Sequence, residues 1–450
     1  MPANFEPFAA RMRADGLAES HIAFFARRYE ELASGSSGQL PERELTQVGS
    51  LPRLADLKER VDPDALRQTV CLKLNGGLGT SMGLHGPKSL LPVREGLTFL
   101  DFAARQVQNL KAPAFMLMNS FHTRDESLEA LRAYPGVSRD LPVELLQSRV
   151  PKVRRRDLAP AEHPDPELTW CPPGHGDLYP TLWSSGLLEK MLERGYRYLF
   201  VSNVDNVGAT LDVRILAHFA SSSAPLLMEV AQRTHADRKG GHLARRRANG
   251  ELLLREVAQC PPDELDAFQD IDRYEYFNTN NLWLRLESLY SQLKSAGGFL
   301  DLPLIVNRKT VDPSDPDSEP VYQLESAMGS ALGCLKGSQG LVVDRSRFLP
   351  VKNTNDLLLV RSDFYRLTSE PGLERAAPGE NPLIDLDSRY YAMYDDFEAR
   401  IPSTPSLRQA VSLTVRGDFT FGREIVVQGV VRLESDHAER IPDGSVLSGR

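Results

Sequence analysis

Residues 72–89 read LKLNGGLGTSMGLHGPKS. A short β-type run opens into five glycines within eleven residues, Gly76, Gly77, Gly79, Gly83 and Gly86, and Pro87, Lys88 and Ser89 follow. Glycine tolerates φ > 0 and carries no Cβ, so such a loop can press bare backbone N–H groups against an anion. The lysine at its exit adds a mobile point charge suited to phosphate. A Walker A loop is excluded because Pro87 separates Gly86 from Lys88. The GxGxxG fingerprint fails because three residues separate Gly79 from Gly83. The stretch points to a phosphorylated, nucleotide-type ligand at the end of a strand.

Around it, short apolar runs alternate with helical patterns from about residue 66. Strands are predicted at 69–75, 114–118, 198–203, 226–231 and 281–286, and helices at 101–111, 184–194 and 212–221. That alternation argues an α/β sheet with helices on both faces, in which ligands bind beyond the carboxyl ends of strands. Ahead of it, residues 1–65 read as a helical segment. Ser20 is its N-cap, Ile22, Phe25, Tyr29 and Leu32 share one face, and GSSG at 35–38 ends the helix. The polar, proline-rich stretches 307–320 and 369–382 read as surface loops, the second marking the main boundary.

From residue 412 the chain can be written in sixes: SLTVRG, DFTFGR, EIVVQG, VVRLES. Apolar residues fill the second place (Leu413, Phe419, Ile425, Val431) and the fourth (Val415, Phe421, Val427, Leu433), and Gly417 and Gly429 close two hexads. A period of six is the mark of a parallel β-helix, although the alternation also fits an antiparallel meander. A stack this short leaves an open apolar end that another subunit could cap, which makes a homo-oligomer an expectation.

At 450 residues the chain exceeds what one core usually supports, so two or three domains are expected. With 41% hydrophobic and 25% charged residues its composition is that of a soluble globular protein. A net charge of −8 excludes a general nucleic-acid binder, which needs a basic surface to displace counterions. No run approaches 18 apolar residues, so no membrane span is predicted. The start, MPANFEPFAARMRADG, carries charges where a secretory leader needs an apolar core. Cys71, Cys171, Cys260 and Cys334 lie far apart without a CxxC pair, which reads as free thiols in a reducing cytoplasm.

The glycine loop resembles the signature of eukaryotic-type UTP–glucose-1-phosphate uridylyltransferases. Five further blocks agree in order: MNSFHT at 118–123, PPGHGDLY at 172–179, VSNVDNVGATLD at 201–212, FNTNNLWL at 277–284 and RSRFLPVKNTNDLLLV at 345–360. The resemblance implies a Rossmann-like α/β nucleotidyltransferase domain with a mixed sheet over 66–368. The helical segment 1–65 would precede it, and a linker, 369–408, and a small C-terminal left-handed parallel β-helix, 409–450, would follow. It also implies that UTP and glucose 1-phosphate give UDP-glucose and pyrophosphate, with Mg²⁺ as cofactor. By residue-wise transfer Leu74, Asn75, Gly76 and Gly77 belong to the nucleotide loop and Lys88 contacts the phosphates. Gln147 and Gly174 would hold the uracil, His175 would touch the sugar phosphate, and Asn203 and Asp205 would flank the sugar and the metal. Lys352 would reach the phosphates from a second segment. Glu256 and Asn278 resemble sugar-hydroxyl contacts, with Asn280 an equal alternative to Asn278, and Lys239 would stand on a loop near the sugar.

The reactants themselves explain the missing catalytic base. A sugar phosphate has a second pKa near ~6, as phosphorylated side chains do, and is already ionised at neutral pH. Catalysis then reduces to positioning and charge neutralisation around two anions. Other readings stay open: a uridylyltransferase for galactose or N-acetylhexosamine 1-phosphate, a non-catalytic nucleotide-sensing scaffold, and a P-loop-like kinase, which the missing GK[ST] disfavours. Lys352→Ala is expected to lower kcat/KM by on the order of 10²–10³ with folding retained. A near-normal turnover in that variant would remove Lys352 from the mechanism.

Overall fold

The computed structural model of the chain describes residues 4–35, 38–368, 372–376 and 380–449. Its centre is a ten-stranded mixed sheet. In chain order the strands are β1 (Leu45–Thr46), β2 (Thr69–Asn75), β3 (Ala114–Asn119), β4 (Glu144–Leu146), β5 (Tyr198–Asn203), β6 (Leu226–Gln232), β7 (His242–Arg246), β8 (Leu252–Arg255), β9 (Tyr276–Arg285) and β10 (Gln339–Val342). The order across the sheet is β1-β7-β9-β5-β2-β3-β4, with β6 beside β9 and β10, and β8 beside β7. The neighbours β5, β2, β3 and β4 are parallel, whereas β9 runs antiparallel to both β5 and β6.

Successive side chains of a strand point to opposite faces, and here both faces are apolar. Cys71, Phe115, Leu117, Phe200 and Trp283 belong to one core cluster. Val70, Leu72, Met116, Leu199, Val201, Leu282 and Leu284 belong to another. Two helices, Glu6–Ala14 (α1) and Glu19–Ala33 (α2), lead the chain. Helix α3 (Phe99–Leu110) contributes Phe102 and Ala103 to the first cluster. Helices α4 (Leu178–Ser184) and α5 (Leu187–Glu193) contribute Leu182 and Met191 to the second. Helix α6 (Val213–Ser221) returns to the first through Ile215 and Phe219, and α7 (Leu286–Ser295) to the second through Leu289 and Leu293. The predicted helix at 184–194 is α5, which starts three residues later, because Gly186 is left-handed at φ +69° and separates it from α4.

After Ala33 the leading segment keeps only short helical pieces, the 3-10 turns Glu42–Glu44 and Leu54–Asp56 and the helix Pro63–Arg67. Helix α2 starts one residue before Ser20, with Ala18 at the N-cap and no side-chain cap bond. Phe5 and Phe8 pack with Phe25 and Tyr29 of α2 at ring-centroid distances of 5.0 to 5.9 Å. This cluster rests on Val150, Val153, Trp170, Leu304 and Leu324. Beyond it, β1 joins the main sheet by pairing with Arg245 and Arg246. Part of the GSSG stretch lies outside the described residues. The predicted loop at 307–320 is irregular over 311–319, and its ends are the inner parts of a hairpin, Ile305–Thr310 against Pro320–Glu325. Part of 369–382 also lies outside the described residues, and on either side of it Tyr365–Leu367 pairs with Leu373–Arg375.

The tail carries β11 (Leu383–Asp385), β12 (Ser406–Arg416), β13 (Phe419–Phe421), β14 (Val426–Glu434), β15 (Glu439–Ile441) and β16 (Val446–Ser448). All its ladders are parallel, which excludes the antiparallel meander: β11 pairs with β12, β12 with β14, β14 with β16 and β13 with β15. Leu413 stands opposite Val431, three hexads on. The apolar hexad positions are buried except Leu433, which is half-buried. Leu413, Val415, Phe419 and Phe421 extend the core cluster that also holds Phe115 and Phe200.

One buried ion pair fixes the last segment against the sheet. Glu229 of β6 is fully buried and receives Arg347 through Nε at 2.7 Å and Nη2 at 2.8 Å. Trp283 Nε1 also donates to Glu229, at 2.9 Å, and Asn281 Nδ2 at 3.2 Å. Removing one partner of such a pair leaves a buried charge uncompensated. Arg347→Met is therefore expected to cost about 3–5 kcal/mol, with part recovered in Arg347→Met/Glu229→Gln. Thermal unfolding followed by circular dichroism checks the order; equal losses in the two variants would exclude the pair as the anchor.

Candidate active site

The carboxyl ends of β5, β2, β3 and β4 are level, since Asn203 pairs with Leu74, Asn75 with Asn119 and Asn119 with Leu146. A cleft of ≈ 280 Å³ opens beyond them. The end of β2 and its loop supply Leu74, Gly76, Gly77 and Lys88, β3 supplies Met118 and the end of β4 Gln147. The far wall comes from Pro172, Gly174 and His175, and from Asn203, Val204 and Asp205 after β5.

The glycine loop folds back on itself. Gly79 (φ +66°) and Gly83 (φ +71°) are the left-handed residues and bracket a tight turn, Thr80–Met82. The Lys88 N–H then donates to Gly77 O at 3.1 Å, which returns the lysine to the mouth of the loop. Asn75 stays at the root of the loop, but its side chain is buried and does not line the cleft. Its Nδ2 donates to Asn119 Oδ1 at 2.7 Å and Ser127 Oγ at 2.8 Å. Thr123 Oγ1 donates to Asn75 O and Ser120 Oγ to Gly76 O. The MNSFHT block is thus a staple for the loop's root.

Lys88 Nζ lies 2.6 Å from Asp205 Oδ2, both side chains mostly buried, so cation and carboxylate stand assembled at the cleft floor. Gln147 is held by its N–H on Asn119 O at 2.8 Å. Its Nε2 donates to Gly174 O at 2.9 Å, which leaves Oε1 as an acceptor. Gly174 has φ +78°, and a Cβ there would meet Ser326 O at 2.5 Å, so no other residue fits. His175 Nδ1 accepts the Met328 N–H at 2.9 Å, which puts the neutral ring's proton on Nε2. Burial pulls this ring from its ordinary 6.5 down to about 4.

Asn203 Oδ1 accepts Asn280 Nδ2 at 2.8 Å. Asn280 is left-handed (φ +61°) and sits in a bulge where β9 slips against β6 between Glu229 and Val230. Such bulges re-aim side chains beside sites. Asn278 is placed otherwise: its N–H donates to Gly241 O at 3.1 Å and its Oδ1 accepts the Asn280 N–H at 2.8 Å. Glu256 packs against Gly241, where a Cβ would come within 2.5 Å of its carboxylate. Burial pushes the Glu256 carboxyl up, and the Lys352 charge pulls it back. Lys239 is exposed two residues before Gly241.

Lys352, Glu256 and Asn278 stand outside the cleft wall. Lys352 is nonetheless tied to the floor, since the preceding Val351 N–H donates to Asp205 O at 3.2 Å. Its own N–H, and that of Asn353, donate to Asp356, a residue not singled out from the sequence. Burial pushes the Asp356 carboxyl up, offset by those N–H groups and by the charges of Lys352 and Lys88. The capping box Asn353-Thr354-Asn355-Asp356, opening helix α8 (Thr354–Arg361), is the sequence signal that could have found it.

A family model described as UTP–glucose-1-phosphate uridylyltransferase matches residues 22–428. The chain belongs to this family. The UTP–glucose-1-phosphate uridylyltransferase of Saccharomyces cerevisiae is 38% identical over 98% of this chain and 89% of its own length. That of Solanum tuberosum is 39% identical over 88% and 84%. Among solved structures, a Leishmania major UDP-glucose pyrophosphorylase mutant in complex with UDP-glucose aligns with TM-score 0.95 and 43% identity, over 100% of this chain and 99% of that one. The Trypanosoma brucei UDP-glucose phosphorylase aligns with TM-score 0.90 and 44% identity, over 99% and 100%. As a UTP–glucose-1-phosphate uridylyltransferase the chain is a nucleotidyltransferase. Among the described residues no helix is long and apolar enough to cross a membrane.

The folded value of about 4 for His175 lies below its ordinary 6.5, so the folded state binds fewer protons between these values. Its contribution to stability is intact above 6.5 and is lost as the pH falls through 4. Nitrogen-15 shifts of the His175 ring are expected to stay those of a neutral Nε2–H tautomer from about pH 5.5 to 8. A midpoint near the ordinary value would overturn the assignment.

Proposed function

We propose that the cleft transfers uridylyl from UTP to glucose 1-phosphate by in-line attack of the sugar phosphate on the α-phosphorus. The observation that carries this reading is the Lys88–Asp205 pair at 2.6 Å, on the floor of a cleft that also holds Gln147, Gly174, His175 and Asn203. A new bond forms between a glucose 1-phosphate oxygen and Pα, the Pα–Oβ bond breaks, and pyrophosphate leaves. No protein base is required, because the attacking oxygen is already ionised.

In this reading the N–H groups of Gly76 and Gly77 face the triphosphate and Lys88 neutralises it, with Lys352 approaching from the 345–360 segment. Gln147 Oε1 accepts the N3–H of uracil, while cytosine offers an unprotonated N3 there. Such a site rejects an analogue that leaves its polar group unpaired. His175 Nε2–H donates to the sugar phosphate as a neutral group. Asn203, Asn278 or Asn280, and Glu256 stand on the sugar side. Leu74 packs under the nucleotide, and Asn75 acts through the loop root.

Among the described residues no three His, Cys, Asp or Glu side chains gather to hold a metal. Mg²⁺ prefers one or two carboxylates completed by phosphate oxygens and water, so Asp205 suits a Mg²⁺ that arrives with the nucleotide. When bound, Mg²⁺ withdraws charge from the phosphate oxygens. The Asp205 carboxylate would hold it and give up Lys88 to the phosphates.

The division at 65, 368 and 408 is part of the same reading. So is a left-handed parallel β-helix from 409, which the parallel ladders and the three-hexad register support. Among the described residues the outer strand β16 pairs only with β14 and leaves an edge that a second copy could use. Free thiols at all four cysteines suit the cytoplasm.

The test is pyrophosphate release across the four common nucleoside triphosphates and several sugar 1-phosphates. Release is expected with UTP and glucose 1-phosphate well above every other pair. No product from that pair would overturn the reading.

A further inference from the structure

We propose that Asp177 is the positioning residue of the uracil end, joining the two lips of the cleft through Ser148. The inference rests on the placement of uracil at Gln147. Asp177 is 1% exposed and takes no direct part in lining the cleft. It stands two residues after His175, at the head of α4. Its Oδ2 accepts the Ser148 N–H at 2.7 Å and its Oδ1 the Ser148 hydroxyl at 2.8 Å. Its Oδ2 also accepts the Thr181 hydroxyl at 2.8 Å.

These bonds close a ring. Gln147 Nε2 ties one lip to Gly174 O, and Ser148, the next residue on that lip, is tied to Asp177, three residues after Gly174 on the other. With Nε2 engaged and the following peptide clamped, Gln147 Oε1 has one direction left. The loop 172–177 is itself zipped to a third segment by Gly176 N–H on Ser326 O at 2.9 Å and Ser326 N–H on Pro173 O at 3.0 Å. Asp177 therefore transmits a fixed frame to the acceptor that reads the base.

The N-terminal segment belongs to that frame. His21 of α2 is 6% exposed, and its Nε2 lies 3.2 Å from Thr181 Oγ1 and 3.5 Å from Asp177 Oδ1. Since the Thr181 hydroxyl donates to Asp177, its oxygen accepts from His21, which orders Nε2–H, Thr181 O–H and carboxylate in one direction. A buried carboxylate fed by one backbone and two hydroxyl donors could in principle serve stability alone. Its position beside Gln147 makes base selectivity the property that separates the two roles, because sub-ångström placement decides such discrimination.

The experiment compares Asp177→Asn, Ser148→Ala, Ser148→Thr and Gln147→Ala in full-length protein, with kcat/KM for UTP and for CTP, the KM for glucose 1-phosphate, and thermal unfolding. Asp177→Asn puts an amide N–H against donors and is expected to lower kcat/KM for UTP about tenfold or more, with a matching fall in the UTP-over-CTP ratio. The KM for glucose 1-phosphate is expected to stay within about twofold. Ser148→Ala, which keeps the backbone donor, is expected to show a smaller change in the same direction, and Ser148→Thr to restore the ratio. A folded Asp177→Asn with an unchanged UTP-over-CTP ratio overturns the proposal. If that variant fails to fold, an unchanged ratio in folded Ser148→Ala overturns it instead. Gln147→Ala separates the two readings. If Gln147→Ala alters the ratio and the Asp177 and Ser148 variants do not, only the positioning role falls. If Gln147→Ala itself leaves the ratio intact, uracil is not read there and both fall.

Discussion

Arg347 and Glu229 meet where water does not reach, and the site's second half depends on that meeting. The guanidinium fork satisfies both carboxylate oxygens, and Nη2 also donates to Thr210 O at 2.8 Å, within the block that follows β5. The Arg347 carbonyl in turn accepts Asn206 Nδ2 at 3.2 Å, and Asn206 Oδ1 takes the Leu349 N–H at 2.8 Å. A chain segment five residues from Lys352 is thereby locked to the sheet and to the loop bearing Asp205. Geometry of this kind makes a buried charge pair specific even where its net stabilisation is small.

On that frame the cleft arranges charge ahead of any ligand. Lys88 and Asp205 neutralise each other at the floor, which keeps two mostly buried charges affordable until phosphate arrives. His175 is neutral with its proton on Nε2, and Gln147 has one free acceptor, so each faces the cleft with a single defined polarity. The chemistry asks for fixed dipoles and cations at two phosphates and needs no group that cycles a proton. The residues found there are of those kinds.

Much of this was legible because it is local. The predicted runs at 69–75, 114–118 and 198–203 are strands, and the candidates at their ends, Leu74, Gly76, Gly77, Asn203 and Asp205, line one cleft. The side chain of Asn75 faces away from the cleft for a reason of period: in a strand, a residue beside the cleft-facing Leu74 faces the other way, toward Asn119 and Ser127. The stretch 307–320 is a loop over 311–319, but the short strands on either side are not visible in its polar, proline-bearing sequence because their pairing is set by packing. Asp177 and Asp356 passed unnoticed because their partners, Ser148 and the Lys352 N–H, are contacts of the fold and leave little trace in composition.

The sequence by itself determined the family, the ligand class of the glycine loop and the strand ends that carry the site, since each rests on residue type and near-neighbour spacing. Tertiary structure alone decided which glycines turn left-handed, that Lys88 meets Asp205, that Asn280 and not Asn278 holds Asn203, and that His175 is neutral. The last three follow from atoms brought together across 77 to 153 residues of chain by burial and register, from Asn203 and Asn280 to His175 and Met328. Side-chain direction, protonation and close approach are properties of such meetings, and no local pattern encodes them.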